Sequence, residues 1–360
     1  MFLEYTFLIR KKRKFAKKKF KYKKYLRILI ILLLAFLLYG ISKILLKFNN
    51  MKNLNSIRNK TNSISNNINT INIIDSINDN KSSYEQKYFI CFCIMGKKEN
   101  LYAREIIEHH KKLGFDKFII VDNNDLNSQK FSDVLQDYID SGLVEIIDKI
   151  GKIIDQSETY HFLYEKYNHK CQWLNFFDSD EFLVLHPQNG KNITIQEFLN
   201  HERYKKCDAV LVNWLMYSDN ELLHYDNRTL FERFTQPEDN DQNKFVKSIV
   251  RGNLKEYLFG YKKSCHFPSL NIKLCDSSGN TNPKYRDVVI PPKYKYAQIT
   301  HFSTKSTEEY VNKIKRGYPG GRFPEPSGNV DLYFFHNKFT KEKLKIFEDS
   351  FNMTFSDYHE

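Results

Sequence analysis

The sequence predicts an α/β domain built on a mostly parallel sheet flanked by helices. Three observations carry that expectation. From residue 88 onward, strand-length apolar runs alternate with stretches of helical spacing. Runs such as Tyr88–Met95 are apolar at nearly every position, the pattern of strands covered on both faces. Polar, charged segments follow the strand ends, at 97–100, 122–125 and 178–181, where open α/β sheets bind their ligands.

Tyr88–Met95 is the first strand. Residues 99–112 follow as a helix, with Leu101, Ile106 and Ile107 at helical spacing and Gly114 as its stop. Lys117–Val121 is the second strand, Phe131–Ser141 a helix and Leu143–Ile147 the third strand. Residues 156–170 read as another helix and Trp173–Phe177 as the fourth strand. Further on, Ser306 with Glu309 has the form of a capping box that opens a helix carrying Tyr310 and Lys313. Arg316–Pro326, rich in Gly and Pro, reads as a surface connection, with a lid as the alternative. Residues 338–350 form a Lys-rich terminal helix without catalytic character.

The six cysteines (Cys91, Cys93, Cys171, Cys207, Cys265 and Cys275) include no CxxC pair, which disfavours a zinc site. Cys91 and Cys93 sit in an apolar strand and are expected as core thiols. Cys265 and Cys275 are a candidate disulfide across a loop if the compartment is oxidising.

The formal net charge of +13 is unevenly spread. Residues 1–25 hold eleven Lys and Arg against Glu4 alone, so the other 335 residues carry only about +3. A basic nucleic-acid-binding body is therefore disfavoured, and a basic tail beside a membrane is favoured. That tail leads into 26–47, whose centre, Ile28–Ile41, has no charge and whose length matches a bilayer core of roughly 30 Å. No small-residue cleavage site follows, so the segment reads as an uncleaved signal anchor with its N-terminus in the cytosol. Residues 48–87 are rich in Asn, Ser, Ile and Lys and read as a low-complexity stem. The expected organisation is tail 1–25, anchor 26–47, stem 48–87, catalytic domain 88–330 and helical extension 331–360.

Asp178-Ser179-Asp180-Glu181 places three carboxylates in four residues between apolar stretches. Such a cluster is costly to bury unless a cation compensates it. Oxygen ligands of this kind suit Mg2+ or Mn2+ bridging a nucleotide diphosphate. An acidic loop capping the next element is the structural alternative.

With its neighbours, Phe176–Leu183 resembles the DxD region of GT-A glycosyltransferases, in particular the family 92-like and related family 2-like group. Other segments resemble that group in the same order: His110–Asp125, Gln156 with Tyr160, Asn213–Asn220, Phe231–Phe234, Val246–Ile249, His266–Pro268, and Ile299–Tyr310 with Lys313, Arg316 and Gly317. Ser218 stands where a glycine is usual. The resemblance implies a GT-A-like, Rossmann-like domain that uses Mn2+ or Mg2+ to transfer a hexose, by analogy galactose, from a nucleotide sugar to a glycan acceptor with inversion. It implies Asp180 and His301 as metal ligands, Asp178 on the metal or the ribose, and Lys305 on the diphosphate. Lys98, Asn100 and Asp122 would hold the nucleoside, ordinary strand-end turn chemistry by Asn and Asp being the alternative for these residues. Asp219 is the candidate base, with Glu221, Asp226 and Glu232 left open. Trp214 and His266 are candidate acceptor contacts, each equally readable as core or packed loop. The anchor implies a type II protein, lumenal in the Golgi for a eukaryotic source. The competing readings are a metal-dependent phosphotransferase or nuclease, and a membrane-anchored, non-catalytic carbohydrate-binding protein.

Overall fold

A computed structural model of the chain describes residues 86–254, 266, 272–282, 286–317, 321 and 325–358. The expected tail, anchor and all but the end of the stem lie outside these residues. No helix among the described residues is long and apolar enough to cross a membrane.

Nine strands form one sheet among the described residues: β1 (Tyr88–Gly96), β2 (Lys117–Asp122), β3 (Val144–Asp148), β4 (Cys171–Phe176), β5 (Glu181–Leu185), β6 (Ala209–Met216), β7 (Val246–Arg251), β8 (Leu274–Asp276) and β9 (Ala297–His301). Their order is β3-β2-β1-β4-β7-β6-β9-β5, with β8 pairing off this path to β6. The first four strands are mutually parallel, as expected. Antiparallel pairings appear where β7 inserts between β4 and β6 and where β5 meets β9, so the sheet is mixed. The sheet turns within β6: Ala209–Asn213 pairs with β7, and Trp214–Met216 pairs with β9.

The helices are α1 (Asn100–Lys112), α2 (Phe131–Asp140), α3 (Gln156–Tyr167), α4 (Ile195–Asn200), α5 (Leu230–Arg233), α6 (Thr307–Arg316), α7 (Pro326–His336) and α8 (Lys341–Phe351). Alternation along β1 sorts its residues into two cores. Phe92 and Ile94 face the layer that holds Ile106 and Ile107 of α1 and Leu135 of α2. Cys91 and Cys93 face Tyr160, Leu163 and Tyr164 of α3. In α1 the buried stripe is Tyr102, Ala103, Ile106, Ile107 and His110, whereas Leu101 is 56% exposed and not part of the core.

A third core joins α6 to α7 and α8 through Tyr310, Ile314, Val330, Tyr333, Leu344 and Phe347. The boundary expected at residue 330 therefore falls inside α7, and the C-terminal helices pack as part of the body that carries the site.

The cysteine expectations need correction. Cys91 bonds to Cys171, and Cys207 bonds to Cys275. Each pair spans neighbouring strands or their ends, with Cα atoms 6.0 and 5.8 Å apart, well inside disulfide reach. Cys275 is therefore not available to Cys265, which lies outside the described residues. Cys93 is a buried free thiol, as expected.

Candidate active site

The ends of β1, β2, β4 and β9 and the C-terminal half of α6 border a cleft of about 220 Å³. Its lining includes Lys97, Glu99, Asn123, Gln156, Asp178, Asp180, His301, Lys313 and Arg316.

The nucleotide-side loops are latched to one another. Lys98 sits at φ 53° and donates its backbone N–H to Asn124 Oδ1. Asn124 in turn donates to Asn100 Oδ1 at 3.1 Å. Asp122 is buried, and its two oxygens accept from the backbone of Asn124 at 3.0 Å and of Phe131 at 2.9 Å. It ties the turn to the start of α2, and Asn123 faces the cleft in its place. Lys98 pairs with Asp125 and points away from this cleft. Of the nucleoside-binding segment, it is Lys97 and Glu99 that reach the opening.

Asp178 is held on both oxygens. Gln156 and Tyr160 donate to Oδ1 at 2.5 and 2.9 Å, and Lys247 donates to Oδ2 at 2.8 Å. Burial acts most strongly, to raise its pKa, but the charge and hydrogen bond of Lys247 together with the Tyr160 hydrogen bond turn the net shift downward. Lys247 is fully buried in β7 and also lies 3.7 Å from Glu181. Glu181 donates nothing to the cleft: one carboxylate oxygen accepts from the Asp178 backbone, and burial pushes its pKa well up.

Asp180 is the point of convergence. Its Oδ2 lies 2.8 Å from Lys313 Nζ and 3.8 Å from Lys305 Nζ, and its Oδ1 lies 3.5 Å from His301 Nε2. Burial alone would raise its pKa, yet Lys313, Lys305 and His301 together hold it well below the usual carboxylate range. Antiparallel pairing of β5 with β9 sets Glu181 opposite His301, which brings the distal histidine to the DxD loop. Burial lowers the His301 pKa despite Asp180 beside it, so the ring is neutral near pH 7. Its Nδ1 is buried without a hydrogen-bond partner.

The helix start is as expected. Ser306 and Glu309 form the capping box, and Arg233 grips Glu309 with two bonds at 2.7 and 3.1 Å. That anchorage aims Lys313 at Asp180 and Arg316 at Glu99 and the Lys97 carbonyl. The cations that face the cleft are thus Lys97, Lys313 and Arg316. Lys305 lines an adjoining cleft instead, and burial draws its ammonium pKa down to about 8.

The expected base is in the wrong place. Asp219 is 2% exposed, and its Oδ2 takes both Tyr333 and Lys343 at 2.6 Å. It anchors the C-terminal helices and lines neither cleft. The three residues left open are also engaged elsewhere: Glu221 with Lys338, Asp226 with Arg228, and Glu232 in the cap of α5. Trp214 packs between His301 at 4.4 Å and His266 at 5.2 Å, with Phe245 at 5.5 Å, so its faces are covered. His266 bonds to the Val246 carbonyl, and burial takes its pKa down to about 4. Both residues stand behind His301 as packing, which resolves their two readings toward the core.

Among the described residues no cluster of three or more His, Cys, Asp or Glu is arranged to hold a metal ion. What the site offers a divalent cation is a pair, Asp180 Oδ1 and the neutral His301 ring. That pair fits an ion that takes its remaining ligands from substrate oxygens and water.

The model of glycosyltransferase family 92 matches residues 86–325, and the chain belongs to that family. A family 92 protein of Ricinus communis is 26% identical over 125 residues, which is 31% of this chain. The chain matches 19% of that relative's length. Among solved structures, S. aureus TarS 1-349 is similar at a TM-score of 0.32 and 11% identity, covering 73% of this chain and 71% of that one. Its complex with UDP-GlcNAc gives a TM-score of 0.34 at 10% identity, covering 73% and 72%.

Proposed function

We propose that this protein transfers a hexose from a nucleotide sugar to a glycan acceptor. Membership of family 92 supports the reaction class. The observation that carries the reading to this cleft is the convergence of Lys313, Lys305 and His301 on the buried carboxylate of Asp180. Breaking a glycosyl–phosphate bond leaves negative charge on a diphosphate, and preorganised cations at that position lower the barrier. Lys97, Lys313 and Arg316 supply them at the cleft wall, while Asn123 and Glu99 frame the nucleoside end. Asp178 is fixed by Gln156, Tyr160 and Lys247 at the cleft floor, in reach of a ribose or sugar hydroxyl.

A divalent ion, Mn2+ or Mg2+, would be held by Asp180 and His301 and would supply further neutralisation of the diphosphate. UDP-galactose is the donor to test first. Asp219, buried against Tyr333 and Lys343, is poorly placed to take the acceptor's proton.

The basic tail and apolar segment 26–47 support a type II membrane anchor with a lumenal body, Golgi in a eukaryotic cell. The two disulfides fit an oxidising compartment. Incubation of the full chain in detergent with UDP-sugars and Mn2+ tests the reading: release of UDP supports it, and no release from any UDP-sugar counts against it.

A further inference from the structure

A second cleft, of about 500 Å³, adjoins the first and shares Glu99, Lys313 and Arg316 with it as a common wall. We infer that this second cleft is the acceptor subsite and that it recognises an acceptor bearing an anionic group, a phosphate ester or carboxylate on a sugar. The inference rests on the transferase reading above.

Lys305 is the central observation. Its side chain is 4% exposed, yet its Nζ makes no hydrogen bond to any described residue. It rests 4.5 Å from the centre of the Tyr102 ring and 3.8 Å from Asp180 Oδ2, a carboxylate already engaged by Lys313 at 2.8 Å. Its backbone is held at φ 55°, a left-handed conformation unusual for a non-glycine residue and a form of strain that clusters at binding sites. A buried ammonium with an incomplete set of acceptors is costly, and an entering anion would complete it.

The charge around it points the same way. Most carboxylate oxygens on the cleft have partners: Glu99 Oε1 is held by Arg316, leaving its buried Oε2 without one, Glu309 is held by Arg233 and Ser306, and Glu308 by His224 and the Tyr225 backbone. Lys315 adds a rim cation whose ammonium lies 5.6 Å from the Phe351 ring. Tyr225 and Leu101, 36% and 56% exposed, supply apolar wall of the kind that carbohydrate rings pack on. The donor diphosphate would meet Lys97, Lys313 and Arg316 on the other side of the wall, whereas Lys305 lines the second cleft. An acceptor must lie beside the donor, and the shared wall gives the second cleft that adjacency.

The test uses the full chain in detergent with two probes of the same sugar, glucose 6-phosphate and glucose, titrated calorimetrically with UDP already saturating. Glucose 6-phosphate should bind at least about tenfold more tightly than glucose, since charge-assisted hydrogen bonds are lost in the neutral probe. Lys305→Met should weaken glucose 6-phosphate by about tenfold or more, a larger loss than it causes in UDP affinity. Should Lys305→Met fail to fold, Lys315→Met carries the same comparison with a smaller loss. Three results would overturn the inference: equal binding of the two probes, displacement of UDP by glucose 6-phosphate, or loss of UDP rather than glucose 6-phosphate in the lysine variants. Failure of the wild type to bind UDP would instead sink the transferase reading itself, and the acceptor assignment with it.

Discussion

Lys313 Nζ lies 2.8 Å from Asp180 Oδ2 and 2.8 Å from the Ser303 carbonyl, tying α6 to the DxD loop across 133 residues of sequence. One lysine thus neutralises the site carboxylate and fixes the helix that brings Arg316 to the same wall. Lys313→Met keeps the length of the stem and removes the charge. UDP release should fall on the order of 10²-fold, as when other preorganised charge-stabilising groups are removed. Turnover within threefold of wild type would show that Lys313 faces the cleft without acting there.

In the proposed site, His301 would offer a nitrogen to an ion held by Asp180. Titration of Mn2+ followed by electron paramagnetic resonance reads binding without reference to turnover. His301→Ala should weaken Mn2+ by at least about tenfold while leaving the fold intact. Unchanged Mn2+ affinity in that variant would leave the histidine as a packing partner of Trp214.

Asp219 and Lys343 form a buried ion pair that holds α8 to the loop after β6. Removing one partner strands the other charge, a change that costs roughly 3–5 kcal/mol in buried pairs. Asp219→Ala should therefore lower the melting temperature strongly, while turnover per folded molecule stays within about threefold. A folded, stable Asp219→Ala protein without activity would restore the residue as the base.

Acid should destabilise the metal-free protein below about pH 6.5. Burial lowers the pKa of His109, His110, His266 and His301, the third to about 4. Each binds its proton more readily unfolded than folded, so each makes the folded state lose ground as pH falls from 6.5 through its folded pKa. The slope is up to about 1.4 kcal/mol per pH unit for each histidine that stays neutral only when folded. Glu181 and Glu105 act in the opposite sense, because burial raises their pKa values. Four groups against two leave a net loss, measurable as a falling denaturant midpoint between pH 6.5 and 5. A midpoint flat across that range would show that the histidines are not held neutral.

The parallel half of the sheet was legible because β1, β2 and β4 are apolar runs ended by polar turns, a local pattern. The Asp180–His301 meeting was legible only through the family resemblance, since β9 returns from 120 residues away to pair with β5. Lys247 was missed as a site residue. A lysine within the apolar Val246–Val250 run was the available clue, because a fully buried ammonium needs a carboxylate, and Asp178 is that carboxylate. Asp219 was misread because it neighbours the Trp214 segment in sequence, while the helices that bury it lie more than 110 residues on. The cysteine pairings were hidden for a related reason: loop spacing suggested Cys265 with Cys275, but the pairing of β6 with β8 brings Cys207 to Cys275. Peptide mapping without reduction should recover the Cys91–Cys171 and Cys207–Cys275 links, and a Cys265–Cys275 link in their place would contradict the strand pairing.

The most direct test is the turnover of UDP-galactose and other UDP-sugars by wild type and by Asp180→Asn, side by side, with saturating Mn2+. Wild type should release UDP, and Asp180→Asn, which keeps the shape and removes the charge on which Lys313, Lys305 and His301 converge, should release it on the order of 10²-fold more slowly while melting as a folded protein. Near-equal rates for the two would contradict the placement of sugar transfer at Asp180.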